Sequence, residues 1–327
     1  MQLNMMRKIL FLSIIATLLT GIAFYHYAVS PVNDLTGTQM IDIPKGSSFS
    51  RTTEILYEAG MVKNRPLFWL LAIGKRAARH IRAGEYELGS NLSPTEILDK
   101  LVRGEIRGYF VTLPEDITVS EVAQRLVAYK LINEQEFMAL ATDKLFLASL
   151  DIEGDSLEGY LYPNTYLFDR SMTTREVIRI LVRQFWKKIT SEMRKRAEEL
   201  GLSLNEWVTF ASIIGKYSGS KEEKAIISAV FHNRMKKGMK LQSDPTAIYG
   251  LEQNKNFVKK DPQNYRKSDT PYNTYKILGL PPGPIANPGI DSLRAALYPA
   301  NVDYLYIMAK KDGAYKFSKN LAIKGGR

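Results

Sequence analysis

Val111-Thr112-Leu113-Pro114-Glu115-Asp116, running into a helical pattern through Leu126 and on to Leu131-Ile132, is the stretch that decides the fold, because it has an echo. Seventy residues earlier, Ile41-Asp42-Ile43-Pro44-Lys45-Gly46 runs into Leu56 and Met61-Val62. Each copy reads as an alternating strand, a proline-containing turn and an amphipathic helix that closes on a short apolar pair. Two copies make a paired small α/β module and not a solenoid. Units of this size suit holding or positioning a partner better than catalysis.

Outward from the pair, helix starts are legible as capping boxes: Ser93…Glu96, Thr118…Glu121, Asn133…Glu136, Thr173…Glu176, Ser203…Glu206 and Ser220…Glu223. In each, the cap side chain takes an orphan backbone N–H and the carboxylate three residues on reaches back. They predict helices at about 94–103, 119–129, 134–142, 174–200, 204–214 and 221–237. A short helix is expected near 291–297. A hairpin follows, with strands Tyr304–Ala309 and Ala314–Phe317 joined at Lys311-Asp312-Gly313.

Between Met239 and Pro288 there is little periodicity and much Pro, Asn, Gly and Tyr. A loop that long inside a compact domain is uncommon unless it is functional. Its prolines fix φ and make it stiff. Its amides, hydroxyls and tyrosine faces are the groups a sugar uses, and a rigid structural wrap would have much the same composition.

The chain has 327 residues, 45 Lys+Arg against 34 Asp+Glu, a net charge of +11, three histidines and no cysteine. Disulfides, thiolate metal sites and a cysteine nucleophile are excluded. The scattered His26, His80 and His232 argue against a His-rich metal site or a Ser-His-Asp triad. Arg7 and Lys8 precede Ile9–Val29, which holds no formally charged side chain. Twenty-one helical residues at ~1.5 Å rise cross the ~30 Å hydrocarbon core. The basic flank keeps the N-terminus in the cytoplasm and sends the rest outside. A cleaved signal peptide would export the same residues, but its apolar core is shorter and ends at a small-x-small site, which Ala28-Val29-Ser30 matches poorly. Either way cytoplasmic nucleic acid is out of reach, so the positive charge faces lipid headgroups, wall carboxylates or only solvent.

The expected architecture is α+β: a cytoplasmic stub and transmembrane helix over 1–29, paired small α/β modules over 38–150, and a C-terminal mixed α/β domain over 151–327.

The C-terminal runs carry a resemblance. Leu157-Glu158-Gly159-Tyr160-Leu161-Tyr162-Pro163-Asn164-Thr165-Tyr166, Ala229–Met235, Gln242–Thr246, Pro271–Tyr275 and Gly279–Pro288, in that order, resemble the endolytic murein transglycosylase family. The resemblance covers nearly the whole chain. It implies a LysM-like N-terminal region, a transglycosylase-like domain anchored in the inner (cytoplasmic) membrane, peptidoglycan glycan strands as partner, cell-wall synthases as neighbours, and no metal or cofactor. It marks Glu158, Tyr166, Asn233, Gln242, Ser243, Asp244, Thr246, Tyr249, Tyr272, Asn273, Tyr275 and Asn287 as glycan-contact candidates. The implied reaction is not hydrolysis. One Glu protonates the oxygen between N-acetylmuramic acid and N-acetylglucosamine. Its conjugate base then helps the muramic C6 hydroxyl close on C1, leaving a 1,6-anhydro end.

The pattern breaks at that Glu. Where the family has Ala-Ser-Ile-(Ile/Val)-Glu-Lys-Glu-Thr, this chain reads Ala211-Ser212-Ile213-Ile214-Gly215-Lys216-Tyr217-Ser218. Gly215 stands at the acid/base position and has no proton to give. Tyr217, two residues on, falls about 200° round a continued helix. The family also commonly has His near the final hairpin and at the C-terminus, where Tyr315 and Lys324 stand here. The expectation is a catalytically impaired glycan-strand protein. The alternatives are an active lyase with a displaced carboxylate, for which Glu158 and Asp244 are in view as binding or orienting groups, and a purely structural scaffold.

Overall fold

A computed structural model describes residues 2–33, 37–217, 219–253, 265–310 and 315–320. The elements are mixed α and β, as the patterning required. Helix α1 (Gln2–Val29) leads into β1 (Thr38–Ile43), α2 (Phe49–Glu58), α3 (Arg65–Gly74), β2 (Gly84–Gly89) and α4 (Pro94–Arg103). Next come β3 (Tyr109–Leu113), α5 (Val119–Ala128), α6 (Glu134–Leu140), α7 (Lys144–Ala148), β4 (Asn164–Phe168) and α8 (Thr174–Lys188). The remainder is α9 (Ser191–Glu199), α10 (Leu204–Gly215), α11 (Lys221–Lys236), α12 (Asp244–Glu252), α13 (Ile290–Leu297), β5 (Tyr306–Ala309) and β6 (Tyr315–Ser318).

Packing divides the chain into two compact units, Met1–Tyr109 with Leu167–Met172, and Phe110–Tyr166 with Thr173–Arg327. The second copy of the repeat falls largely in the second unit.

The repeat is larger than its sequence signature. The order β1-α2-α3-β2-α4 recurs as β3-α5-α6-α7-β4-α8. Ser48 and Thr118 cap the first helices, and Ser93 and Thr173 form complete capping boxes on the helices after the return strands. Tyr86 donates its hydroxyl to the Arg82 carbonyl, and Tyr166 donates to Tyr162 in the same i to i−4 relation. The turn after each first strand needs a left-handed residue. Gly46 supplies it in the first copy (φ +78°) and Asp116 in the second (φ +64°). A left-handed non-glycine costs up to ~1–2 kcal/mol. Asp116 therefore occupies a place that backbone geometry would give to glycine.

In the first unit β1 and β2 pair antiparallel, with Ile41 opposite Tyr86 and Ile43 opposite Gly84. Their inward faces pack on Leu56, Phe68, Ile97, Leu98 and Leu101. Met5–Val29 of α1 is long and apolar enough to cross a membrane and is exposed, except near its end, where Ala28 and the partly buried Phe24 enter this core together with Val32 just beyond the helix.

In the second unit α10 is the central helix. From Trp207 to Gly215 every residue is buried, as expected of a helix apolar all round. Trp207 fixes it to α13 by donating its indole N–H to the Leu293 carbonyl at 2.8 Å.

Two expectations change, and a third holds. The helix expected over 174–200 is two, because Ile189 turns extended and Thr190 caps α9. Residues 239–288 are not all loop: α12 begins at Asp244, where Pro245 sits in the first turn, the helix position at which proline's missing N–H is harmless. The final hairpin forms as β5 and β6, with Ile307 opposite Phe317. Its expected turn and Lys324 lie outside the described residues.

Candidate functional site

Helix α10 starts at the Ser203–Glu206 capping box and ends at Gly215, with Lys216 as its C-cap. A Cβ built on Gly215 would overlap the Oδ1 of Asp116, with Asp116 Cγ only 2.6 Å away. The space of a side chain at 215 is thus filled by a carboxyl group from the repeat turn. That turn is pinned. Asp116 N–H donates to the Asn287 carbonyl at 2.8 Å, Asn287 N–H donates to the Ile117 carbonyl at 2.9 Å, and Lys216 Nζ donates to the Asp116 carbonyl at 2.6 Å. Asp116 Oδ1 is buried and accepts no hydrogen bond among the described residues. Its Oδ2 lies 3.9 Å from the buried Lys224 Nζ. Burial pushes the Asp116 carboxyl up to about 6; the Lys224 charge opposes this, Glu115 adds to it, and Lys216 opposes it.

Two cavities, of about 750 and 430 Å³, both have Lys216 and Pro245 in their walls. Together they form a cleft at the C-terminal end of α10. The larger is lined by Glu121, Glu158, Tyr249 and Glu252, the smaller by Tyr217, Arg234, Asp244, Arg266, Tyr275 and Tyr315. One end is therefore acidic and the other is basic and aromatic. Among the described lining residues neither Gly215 nor Asp116 appears.

Glu158 sits at the inner wall of the larger cavity, fully enclosed. It accepts from the Val119 N–H at the start of α5 (3.0 Å), from Tyr249 Oη (3.1 Å) and from Asn287 Nδ2 (3.2 Å). Burial pushes its carboxyl up to about 8, against the pull of the Tyr249 and Val119 donors and of Lys216. At the basic end Asp244 receives both Arg266 Nε (3.0 Å) and Nη2 (2.9 Å), and the Tyr275 hydroxyl. Burial would raise Asp244, but the Arg266 and Tyr275 hydrogen bonds outweigh it and hold the group below its ordinary value.

Of the glycan-contact candidates, Glu158, Gln242, Asp244, Tyr249 and Tyr275 come together on the cleft walls. Tyr272 stands behind Tyr249, ring to ring at 5.0 Å. The others point into protein. Asn287 accepts from Gly159 and Leu161 N–H with Oδ1 and donates to Ile117 and Glu158, tying three loops. Asn273 donates to the Ser268 carbonyl, closing its own turn. Thr246 donates to the Ser243 carbonyl, Ser243 accepts from Tyr217 Oη, and Asn233 donates to the Val302 and Tyr304 carbonyls. Tyr166 is spent on Tyr162.

Tyr217 departs from the helical-wheel expectation. The helix stops before it, so the 200° argument lapses, and its ring lines the smaller cavity 5.8 Å from Tyr315. Burial pushes its hydroxyl up to about 12, too weak an acid to stand in for a carboxyl. Sequence reasoning passed over Asp116, Lys216, Arg234 and Arg266. The signal for Asp116 was present, as an acid aligned with Gly46 in the repeat. Among the described residues no cluster of three or more His, Asp or Glu side chains could hold a metal ion.

The arrangement defines a class: an α+β protein with an apolar N-terminal helix and an open, tyrosine-lined polar cleft at the end of a buried helix. A sequence profile of the YceG-like family matches residues 41–323, and the chain belongs to that family. It is 33% identical to an endolytic murein transglycosylase of Bacillus subtilis, over 93% of this chain and 88% of that protein. It is 28% identical to an endolytic murein transglycosylase of Streptococcus pneumoniae over 82% of this chain, and there it spans 54% of the relative's length. A crystal structure of a YceG-like protein from Listeria monocytogenes superposes with a TM-score of 0.58 at 32% identity, over 88% of this chain and 98% of that one.

Proposed function

We propose that this chain is a membrane-anchored protein that holds peptidoglycan glycan strands in the cleft and is impaired in the lyase reaction of its relatives. The observation that carries this reading is the exchange at Gly215. The carboxyl of a Glu there would sit about 2.5 Å beyond its Cβ, two C–C bonds out. Asp116 instead brings its carboxyl only to the Cβ position. Proton transfer needs heavy atoms within about 2.6–3.2 Å, so a displacement of that size takes the acid out of reach of a glycosidic oxygen placed for the family residue. The Tyr249 and Tyr275 rings and the basic end line the cleft. They suit sugar rings and the carboxylates of a wall peptide.

On this reading α1 is an uncleaved anchor and the rest of the chain is extracytoplasmic. The β1-α2-α3-β2 unit is a LysM-like module that adds glycan contacts, and cell-wall synthases are natural neighbours.

A second reading rests on Asp116 itself. A carboxyl raised to about 6 beside the family's acid position is suited to acid and then base work, so a slow lyase with a displaced acid is the competing function.

Incubating the full chain in detergent with un-crosslinked glycan strands separates them. Retention of strands without 1,6-anhydro ends supports the first reading. Anhydro ends that vanish in Asp116→Asn support the second. No pull-down with purified peptidoglycan at moderate salt would leave a structural role.

A further inference from the structure

The positive charge is not spread evenly. Residues 63–82 contain Lys63, Arg65, Lys75, Arg76, Arg79 and Arg82, and no Asp or Glu at all. The same stretch includes α3, whose sequence is RPLFWLLAIG. Phe68, Leu71 and Ala72 face the core of the first unit, while Trp69, Leu70 and Ile73 are exposed. Their i, i+1, i+4 spacing puts them on one helix face. A lone exposed apolar side chain is ordinary, but a contiguous Trp-Leu-Ile face edged by cations needs a partner.

The structure shows where that face lies relative to the anchor. Tyr27, at the end of the apolar part of α1, donates its hydroxyl to the carbonyl of Asn64 at 3.0 Å, and Asn64 is the N-cap of α3. Ala28 and Val32 are buried in the same core as Phe68 and Leu71. The helix that would span the bilayer is thus locked to the start of α3 at its point of exit. Trp69 and Ile73 follow five and nine residues after that tie, about 8–14 Å along the helix. These are distances along α3 and not depths: a helix lying along the headgroup layer, itself about 5–8 Å thick, keeps all three side chains at the level of the tie. Lys75 is held by Asp99 and Arg65 by Glu54, whereas Arg76 and Arg79, just past the C-terminus of α3, are exposed.

We propose that the exposed face of α3, with Arg76 and Arg79, lies on the outer leaflet of the membrane that α1 crosses. Trp69, Leu70 and Ile73 enter the interface and the two arginines meet anionic phospholipid headgroups. The inference rests on α1 being an anchor. It assigns a second contact that holds the first unit flat against the bilayer and fixes the height at which the unit works.

The test uses the full chain in nanodiscs containing anionic phosphatidylglycerol and brominated acyl chains, with tryptophan emission as readout. Trp207 is fully buried, and Trp186 is engaged with the Leu150 carbonyl, which leaves Trp69 as the reporter. Bromolipid should quench part of the emission, Trp69→Phe should abolish that quenching, and Arg76→Glu with Arg79→Glu should weaken it. Resistance of the chain to carbonate extraction reports the anchor separately. No quenching of Trp69 in discs that hold the anchor would overturn the proposal while leaving the anchor intact. Quenching unchanged by charge reversal would overturn the headgroup contact. A chain that carbonate strips from membranes would overturn both.

Discussion

Restoring the family acid by Gly215→Glu alone should fail, and adding Asp116→Gly should rescue it. The new Cβ would overlap Asp116 Oδ1 and lie 2.6 Å from its Cγ. Overpacking of this kind costs about 1–3 kcal/mol, partly offset by the ~1 kcal/mol gained when a helix glycine is replaced. Two carboxyls in contact also cannot both ionise freely, so one is driven neutral and neither is tuned for acid and base work. Asp116→Gly removes the clash, the second charge and the left-handed strain at φ +64° together. The single variant is therefore expected at or below wild-type stability, and the double variant above the single by about 2–5 kcal/mol, from the overlap and left-handed costs combined. Lyase activity should stay at background in the single variant and rise ~10²–10⁴-fold in the double, the usual reach of general acid–base catalysis. Urea midpoints and mass spectrometry of 1,6-anhydro ends read the two effects. Equal activity in single and double variants would mean that Asp116 does not fill the site. A stable, strand-binding double variant with no activity would refute the expected rescue.

Other perturbations probe the same region. Ionising Asp116 costs the folded state, whose carboxyl titrates near 6 against an ordinary 3.8. Stability should therefore fall as pH rises from about 4 to about 6, by at most ~3 kcal/mol. Asp116→Asn should lose that dependence and be the more stable protein at pH 7, which urea melts at both pH values would show. Asn287→Ala strands the buried Gly159 and Leu161 N–H groups; at about 1–3 kcal/mol per orphaned donor, a large drop in melting temperature is expected, and an unchanged one would mean the loops hold without it. Asp244→Ala breaks an ion pair whose partners are 54% and 38% exposed, so stability should change by less than ~1 kcal/mol. Retention on purified peptidoglycan should nonetheless weaken, since Arg266 and Tyr275 lose their shared anchor at the basic end of the cleft.

Helix starts were the most legible part of the chain, because capping is local chemistry: Ser93, Thr118, Thr173, Ser203 and Ser220 all cap where their boxes stand. The return strands of the repeat were not legible. β4 lies beyond a run of helices, and its pairing with β3 is long-range. Proline misled at α12, where Pro245 opens a helix instead of excluding one. In the cleft, polar composition did not separate groups facing outward from groups closing the loops. Asn273, Asn287 and Thr246 have the same chemistry as sugar contacts but are used up by backbone carbonyls and N–H groups. That position 215 is a glycine could be read directly. The alignment with Gly46 marked Asp116 as unusual, but its contact with Gly215 could not be read, since the two meet only through the tertiary fold.

Glycan ends report most clearly whether the cleft holds strands without cutting them. Full chain reconstituted with un-crosslinked nascent glycan strands should retain the strands and generate no 1,6-anhydro ends above a protein-free control. Anhydro ends appearing as fast as with the Bacillus subtilis relative under the same conditions would contradict a cleft that holds without cutting.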